Sequence, residues 1–436
     1  MTALPTISPM PPRAAGIVPW LGAGLGLLRD PTAHLTRLRA RLGDSFVLDA
    51  LGYRLCFVFG PQGVRSLYAA PEREASFGLA TFELVMKRKL PLELAMGRRN
   101  RPHDLFKNPE VESYLGLLDE AMDLELEELG AQGRFEAFAE AKRLGYRLGL
   151  AAWAGAEAAS PRFLARLIDA FERLDTADSF VRPLSTAWTL VTRKRREWRA
   201  MQEIEAVFHT ILEERRARGR RPGDFLDEIE ASFAEVELPD RDVQVARDVM
   251  LIQMGAQSNL FAALAWTLVN LLLHPTVLER VRAGDDDLLE RSAFESIRLA
   301  QRSLTLRRVM QPFTLEAEGG PYGLAPGVFL ATLLSVTNPS AAAGLDRFDP
   351  GHYAGRRLAV AVRLPARELV SSFGHGRHAC PARRFSISAI RIAVRRLIER
   401  FDLEPRFSEA RPLVRQIGGV ARAARPCLVS YSARRR

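Results

Sequence analysis

Cysteine is scarce: Cys56, Cys380 and Cys427 are the only three among 436 residues. Thiols so few and so far apart do not frame a disulfide scaffold, and they fit a reducing compartment. A zinc site would need further ligands at close spacing, and around Cys380 only His375 and His378 of the same loop are at hand. A charged start followed by a continuous apolar run is also missing. The nearest candidate, "IVPWLGAGLGLL", is short and broken by Pro19 and three glycines, so it neither spans a bilayer nor resembles a signal peptide. The expectation is a soluble, cytoplasmic protein of bacterial type with no membrane anchor. The formal charge is +10, from 62 Lys and Arg against 52 Asp and Glu. Its arginines are spread along helical stretches without an aromatic-interleaved stripe, which argues against nucleic acid and for docking of an acidic protein.

What is present is an ordinary globular composition, 47% hydrophobic and 26% charged, with no internal repeat and no low-complexity segment. A proline-rich lead-in over residues 1–20 precedes "DSFVLDALGYRLCFVFG", two apolar runs about a Leu-Gly turn that read as a β-hairpin. "PQGVRSLYAA" then restarts a helix with proline in its first turn. From Glu110 to Asn270 the apolar spacing is overwhelmingly helical, with "VESYLGLLDEAMDLELEELG" closed by Gly130 and a second long helix closed by Gly219. "ARDVMLIQMGAQSNLFAALAWTLVNLLLHP" is apolar almost all round, which places it in the middle of a core. Short extended pieces follow at "LRRVMQPFTLEA" and "GVFLATLLSV", then an irregular stretch, a last helix and a loose tail "SARRR". The fold class is mainly α with small β-sheets, as one domain over residues 1–436.

The chemistry concentrates in "SSFGHGRHACPARRFS". A lone buried cysteine is most often a small hydrophobe. Around Cys380, however, Gly374 and Gly376 permit a tight backbone path, Pro381 reads as the start of a helix, and nearby Arg and His favour a thiolate. A nucleophile would need a base and an orienting group that sequence does not reveal. A thiolate bound to a cofactor metal accounts best for the glycines, because the loop must then lie flat against something.

"FGHGRHACPARRF" resembles the cysteine-ligand loop of cytochromes P-450, F-G-x-G-x-[HR]-x-C-x-G. Phe373, Gly374, Gly376, His378 and Cys380 match, while Ala382 stands where the last glycine is expected. "ESIRLAQRSLTLRRVMQPFTL" resembles the family's K helix and the strand after it, and "DRFDP" supplies Arg347 for a network with Glu295 and Arg298. The lead-in and the apolar helix before Pro275 resemble the family's N-terminal segment and its long I helix. The resemblance implies the cytochrome P-450 fold, with haem b (iron protoporphyrin IX) between the I helix and the L helix, the ligand loop and L helix spanning 373–400. It implies Cys380 as the iron ligand, His378 and Arg307 as propionate partners in preference to Arg308, and Gly255 and Ala256 as the small residues that make room for oxygen. His103 and Lys107 are further propionate candidates. Arg377, Arg384, Arg391 and Arg395 become the basic face for a ferredoxin-type redox partner.

One departure matters. Where the family carries an acid and an alcohol that help deliver protons during oxygen activation, this chain reads "GAQSN". Counting back from Trp266 and Pro275 puts Ser258 at the acid position and Asn259 at the alcohol position; a slip of one residue would align Gln257 and Ser258 instead. An amide is a good hydrogen-bond partner and a poor proton relay. The segment looks most like the branch holding prostacyclin synthase and the sterol hydroxylases, which contains both an isomerase and hydroxylases. Two expectations follow. The first is a monooxygenase of secondary metabolism acting on a hydrophobic small molecule, with Ser258 and Asn259 as the catalytic pair. The second is a haem-thiolate isomerase, dehydratase or peroxide-using enzyme that needs no redox partner. Substrate contacts are expected from loops around Phe77–Leu90, Phe180–Leu190 and Gln416–Ala421.

Overall fold

The computed structural model describes residues 9–16, 22–50, 52–95, 106, 108–175, 189, 191–219, 222–355 and 358–434. His103, Lys107 and nearly all of 180–190 lie outside them, as does much of the lead-in. In chain order the principal strands are β1 (Arg13–Ala14), β2 (Ser45–Ala50), β3 (Tyr53–Val58), β4 (Ala75–Ser76), β5 (Gln132–Glu136), β6 (Leu304–Val309), β7 (Phe313–Ala317), β8 (Gly320–Leu324), β9 (Phe329–Leu333), β10 (Phe401–Pro405) and β11 (Leu428–Ala433). The principal helices are α1 (Pro31–Leu42), α2 (Pro61–Ala69), α3 (Asn108–Leu129), α4 (Ala137–Ala154), α5 (Leu164–Leu174), α6 (Arg195–Ala217), α7 (Phe225–Ser232), α8 (Asp240–Leu273), α9 (Pro275–Arg282), α10 (Asp286–Ala300), α11 (Leu334–Ser340) and α12 (Arg383–Arg400).

The contacts divide the chain into two compact units woven from separate segments. One comprises Met1–Met86, Ile297–Cys380 and Leu413–Ala421, the other Lys87–Ser296, Pro381–Pro412 and Arg422–Arg436. The sequence reads as one stretch because no polar linker marks these crossings; neither unit is a contiguous piece of chain.

The first unit is built on a mixed six-stranded sheet of order β1-β2-β3-β9-β6-β4. The β2–β3 hairpin forms as its two apolar runs and Leu-Gly turn predict, with Gly52 at φ +81 supplying the left-handed turn residue. Parallel pairing of β3 with β9 carries Leu55 and Cys56 beside Phe329 and Leu330, so Cys56 is a fully buried core residue. The described part of the lead-in is tied down: β1 pairs with β2, and Gly323 N donates to Pro9 O at 3.1 Å. The stretch 77–90, read above as a loop, is instead helical from Phe77 to Lys89, with a π-helical turn at Phe82–Met86.

The second unit is helical. Its centre is α8, 34 residues long and buried without interruption from Leu260 to Leu272. Length and composition would let α8 cross a membrane, yet 71% of its most apolar window is buried within the protein. Helices α4, α6, α7 and α12 pack on it, which is why it is apolar all round. Gly145 on α4 is one condition of this packing, because a Cβ there would overlap the Phe261 ring. Beside it Tyr146 and Phe261 stand with ring centroids 4.7 Å apart, and Trp153 Nε1 donates to Gln253 Oε1 at 3.1 Å.

A small antiparallel sheet, β10-β11-β5, completes this unit. Ala137 N donates to Cys427 O at 2.9 Å, and Tyr431 OH donates to Leu129 O, 302 residues earlier, at 2.7 Å. The start of the tail is therefore not loose: Ser432 and Ala433 lie in β11, and Arg434 N donates to Arg400 O at 3.0 Å. Pairing with β10 and β5 supplies the partners that "SARRR" shows no sign of having.

Candidate functional site

The cysteine loop is held by its own main chain. Cys380 N donates to Phe373 O at 2.7 Å, closing the segment between them, and Gly376–His378 form a single 3-10 turn inside it. Gly374 sits at φ +74, where a Cβ would lie 2.6 Å from His378 O, so only glycine fits. Gly376 at φ +62 needs glycine for its backbone alone. Cys380 is half-buried and makes no disulfide. The helix expected from Pro381 begins at Arg383, with Pro381 and Ala382 forming a turn first. Ala382 takes φ −80, a value open to every residue, so its departure from the expected glycine costs the backbone nothing.

Beside this loop, in the same unit, stands a buried arginine. Arg307 lies on β6, where successive side chains point to opposite faces. It is 3% exposed, and its Nη atoms donate to Ala75 O at 3.0 Å and Tyr68 O at 3.3 Å. Its Nε is buried without a hydrogen-bond partner. Arg308, the next residue on β6, is paired with Glu83. Glu72 Oε2 lies 3.5 Å from Arg307 and 3.3 Å from His378 Nε2, and the Phe77 ring stacks near His378 at 4.7 Å between centroids. Burial lowers the pKa of Arg307 below its usual value, with Glu72 opposing the shift. Burial and the neighbouring Arg307 charge lower that of His378. For Glu72 burial acts upward, but the Ser76 hydroxyl and the Gly78 and Phe77 amides outweigh it and hold the carboxyl below its usual range. A buried guanidinium with an orphaned donor, next to a histidine, is a place for an anion. Sequence reasoning missed Glu72, whose approach depends on the fold.

Arg298 is wholly buried. Its Nη1 donates to Leu345 O at 2.6 Å and Asn338 O at 3.4 Å, and its Nη2 to Arg347 O at 3.4 Å. The contribution of Arg347 found here is its carbonyl, while the residue itself is exposed. Glu295, three residues before Arg298 on α10, is also wholly buried.

On α8, the described side chains of residues 254–259 lack the burial that holds further along. Gly255 and Asn259, four apart and so on one face, are exposed, with Ala256 and Ser258 half-buried beside them. A Cβ on Gly255 would meet nothing within 4 Å. The side chain of Gln257, which the alternative register would use, lies outside the described residues.

The four arginines of the expected basic face differ. Arg377 and Arg384 are exposed. Arg391 pairs with Glu290 at 3.1 Å, and Arg395 with Asp286 and the Val281 carbonyl, so their charge is engaged within the helical unit. At the remaining expected substrate segment, Gln416 is buried and donates to Gly418 O at 3.1 Å and Val420 O at 3.2 Å.

No family model matches the chain. Among curated proteins it is similar to 24-hydroxycholesterol 7-alpha-hydroxylase of Mus musculus, 22% identical over 97% of this chain and 93% of that protein. Cytochrome P450 7B1 of Mus musculus is 21% identical over 90% of this chain and 84% of that protein. Cytochrome P450 monooxygenase pynD of Aspergillus niger is 23% identical over 88% and 84%. Fold, cysteine loop and near full-length relatives define an oxidoreductase of the hydroxylase and monooxygenase class. Relatives named as cytochromes P-450, at 21–23% identity, support the cytochrome P-450 superfamily.

Enzymes of this superfamily carry haem. The residues of the first unit fit it: a half-buried thiol on a glycine-bent loop and a buried guanidinium with an unpaired Nε. Among the described residues no group of three or more His, Cys, Asp and Glu offers a rival metal site.

Proposed function

We propose that the protein inserts one oxygen atom from dioxygen into a hydrophobic small molecule, using haem b and electrons from a ferredoxin-type partner. The observation that carries this reading is the Cys380 loop, closed by the 2.7 Å bond to Phe373 O, with Arg307 and His378 beside it in the same unit. Cys380 would ligate the iron, and Arg307 and His378 would hold the propionates by charge-assisted hydrogen bonds. Bound there, a thiolate-ligated haem supplies oxygen activation. Phe373, Gly374 and Gly376 would keep the loop flat against it. Gly255 and Ala256 leave room on α8, Asn259 orients a substrate oxygen or a water, and the Ser258 hydroxyl passes a proton with water. Relatives named for sterol hydroxylation support a hydrophobic guest of similar kind. Arg377 and Arg384 are the exposed cations for docking the electron donor, with Arg391 and Arg395 adding charge only where their carboxylate partners yield. The setting is a cytoplasmic enzyme of secondary metabolism.

Reduced protein with carbon monoxide should show the red-shifted Soret band of thiolate ligation, and Cys380→Ser should abolish it. A wild-type protein without that band ends the haem-thiolate reading.

One observation favours a second reading. From Val249 to Leu273, α8 contains no acidic residue, and an amide stands at 259. A haem-thiolate isomerase or dehydratase acting on a peroxide needs no proton relay and no redox partner. Turnover on organic hydroperoxide alone, with none supported by reductase and ferredoxin, selects it over the monooxygenase.

A further inference from the structure

Two buried amides join the end of α10 to the start of the cysteine loop. Asn338 on α11 is wholly buried, and its side chain is saturated: Nδ2 donates to Arg298 O and Ser371 O, both at 3.0 Å, and Oδ1 accepts from Ser371 N at 2.9 Å. Ser371 passes the connection on, its Oγ accepting from Gly374 N at 2.9 Å. One residue along, Gln301 Nε2 donates to Ser372 O at 3.1 Å, while its Oε1 accepts from Ser303 Oγ at 2.9 Å. The loop thus enters its glycine bend with the main chain of Ser371 and Ser372 pinned by side chains from two other elements. Phe373, the residue after the pinned pair, accepts the hydrogen bond from Cys380 N.

We infer that Asn338 and Gln301 are positioning residues for the Cys380 sulfur, acting through the main chain of Ser371 and Ser372. The inference rests on the thiolate reading of Cys380. Removing the Asn338 amide leaves one N–H and two carbonyls unpaired in a dry interior, and the cheapest relief is for the loop to move toward water. Groups that orient a metal ligand without touching the metal commonly change its binding about 10–100-fold when lost. A role in stability alone would instead lower loop and global stability together.

The test uses reduced, carbon monoxide-bound holoprotein in mild urea, following conversion of the red-shifted Soret band to the unshifted band of a displaced thiolate. Global unfolding is measured in parallel by circular dichroism. Asn338→Ala is expected to convert about 10-fold or more faster than wild type at matched distance from its own unfolding midpoint. Gln301→Met, which keeps the shape and removes one pin, should shift in the same direction by less, and it decides the matter if Asn338→Ala does not fold. The control is Asn270→Ala, which removes a buried amide bonded to Ser296 Oγ at 2.9 Å in the helical unit. If the variants convert no faster than this control at matched stability, the positioning role is overturned while the thiolate reading stands. If wild type itself shows no red-shifted band, the thiolate reading fails and this inference falls with it.

Discussion

Around Arg298, Asn338 and Ser371 the named polar groups are committed to partners: a buried guanidinium on three carbonyls, an amide with both donors and its acceptor engaged, a serine holding a glycine N–H. Along α8 from Val249 to Leu273 there is no charged residue at all, and what distinguishes residues 255–259 is small size and exposure on one face. The first region is specified by bonds that fail together; the second by shape, which can change while the fold persists. On the function proposed above, stability and choice of reaction are written in different places, and substitutions should separate them.

The largest effect is expected at Arg298. Replacing it by Leu strands the Leu345, Asn338 and Arg347 carbonyls, and breaking such a buried charged group costs about 3–5 kcal/mol, much of a typical domain's net stability. The variant should be recovered largely insoluble or without haem, and a melting temperature equal to wild type would break the contrast. Gly374→Ala comes next. The left-handed backbone costs about 1–2 kcal/mol before the overlap with His378 O is relieved, and a lowered urea midpoint with weaker haem retention would record it.

Asn259→Thr tests the other region. Stability should stay within about 0.5 kcal/mol of wild type, while the yield of product per electron pair changes; unchanged coupling would remove Asn259 from proton delivery. The smallest effect sharpens the contrast most. Gly255→Ala places a methyl in open space, so helix propensity should raise stability by roughly 0.5–1 kcal/mol while substrate-induced Soret shifts weaken. A fall in melting temperature would show that α8 is as tightly bound as the cysteine loop.

How much of this was legible depended on the kind of signal. The β2–β3 hairpin, α3 closed by Gly130 and α8 closed before Pro275 follow periodicities that sequence displays directly. Glycine at 374 could be singled out because its left-handed backbone excludes most side chains. Asn338, Gln301 and Glu72 could not, because their partners lie on main chain or on elements far along the sequence. The helical character of 77–90 was missed since short helices there are fixed by packing and by the Ser76 cap rather than by a long apolar stripe. The woven division into two units left no linker to read.

The three-stranded sheet has a consequence for how the chain is made. Strand β5 (Gln132–Glu136) is translated long before β11 (Leu428–Ala433), the strand that pairs with it, and β10 reaches β5 only through β11. Closing so long a loop is slow and leaves unpaired strand edges exposed meanwhile. The helical unit therefore cannot finish folding until residue 433 has left the ribosome, and a ribosome stalled before β11 holds a nascent chain with an open edge, a natural substrate for chaperones.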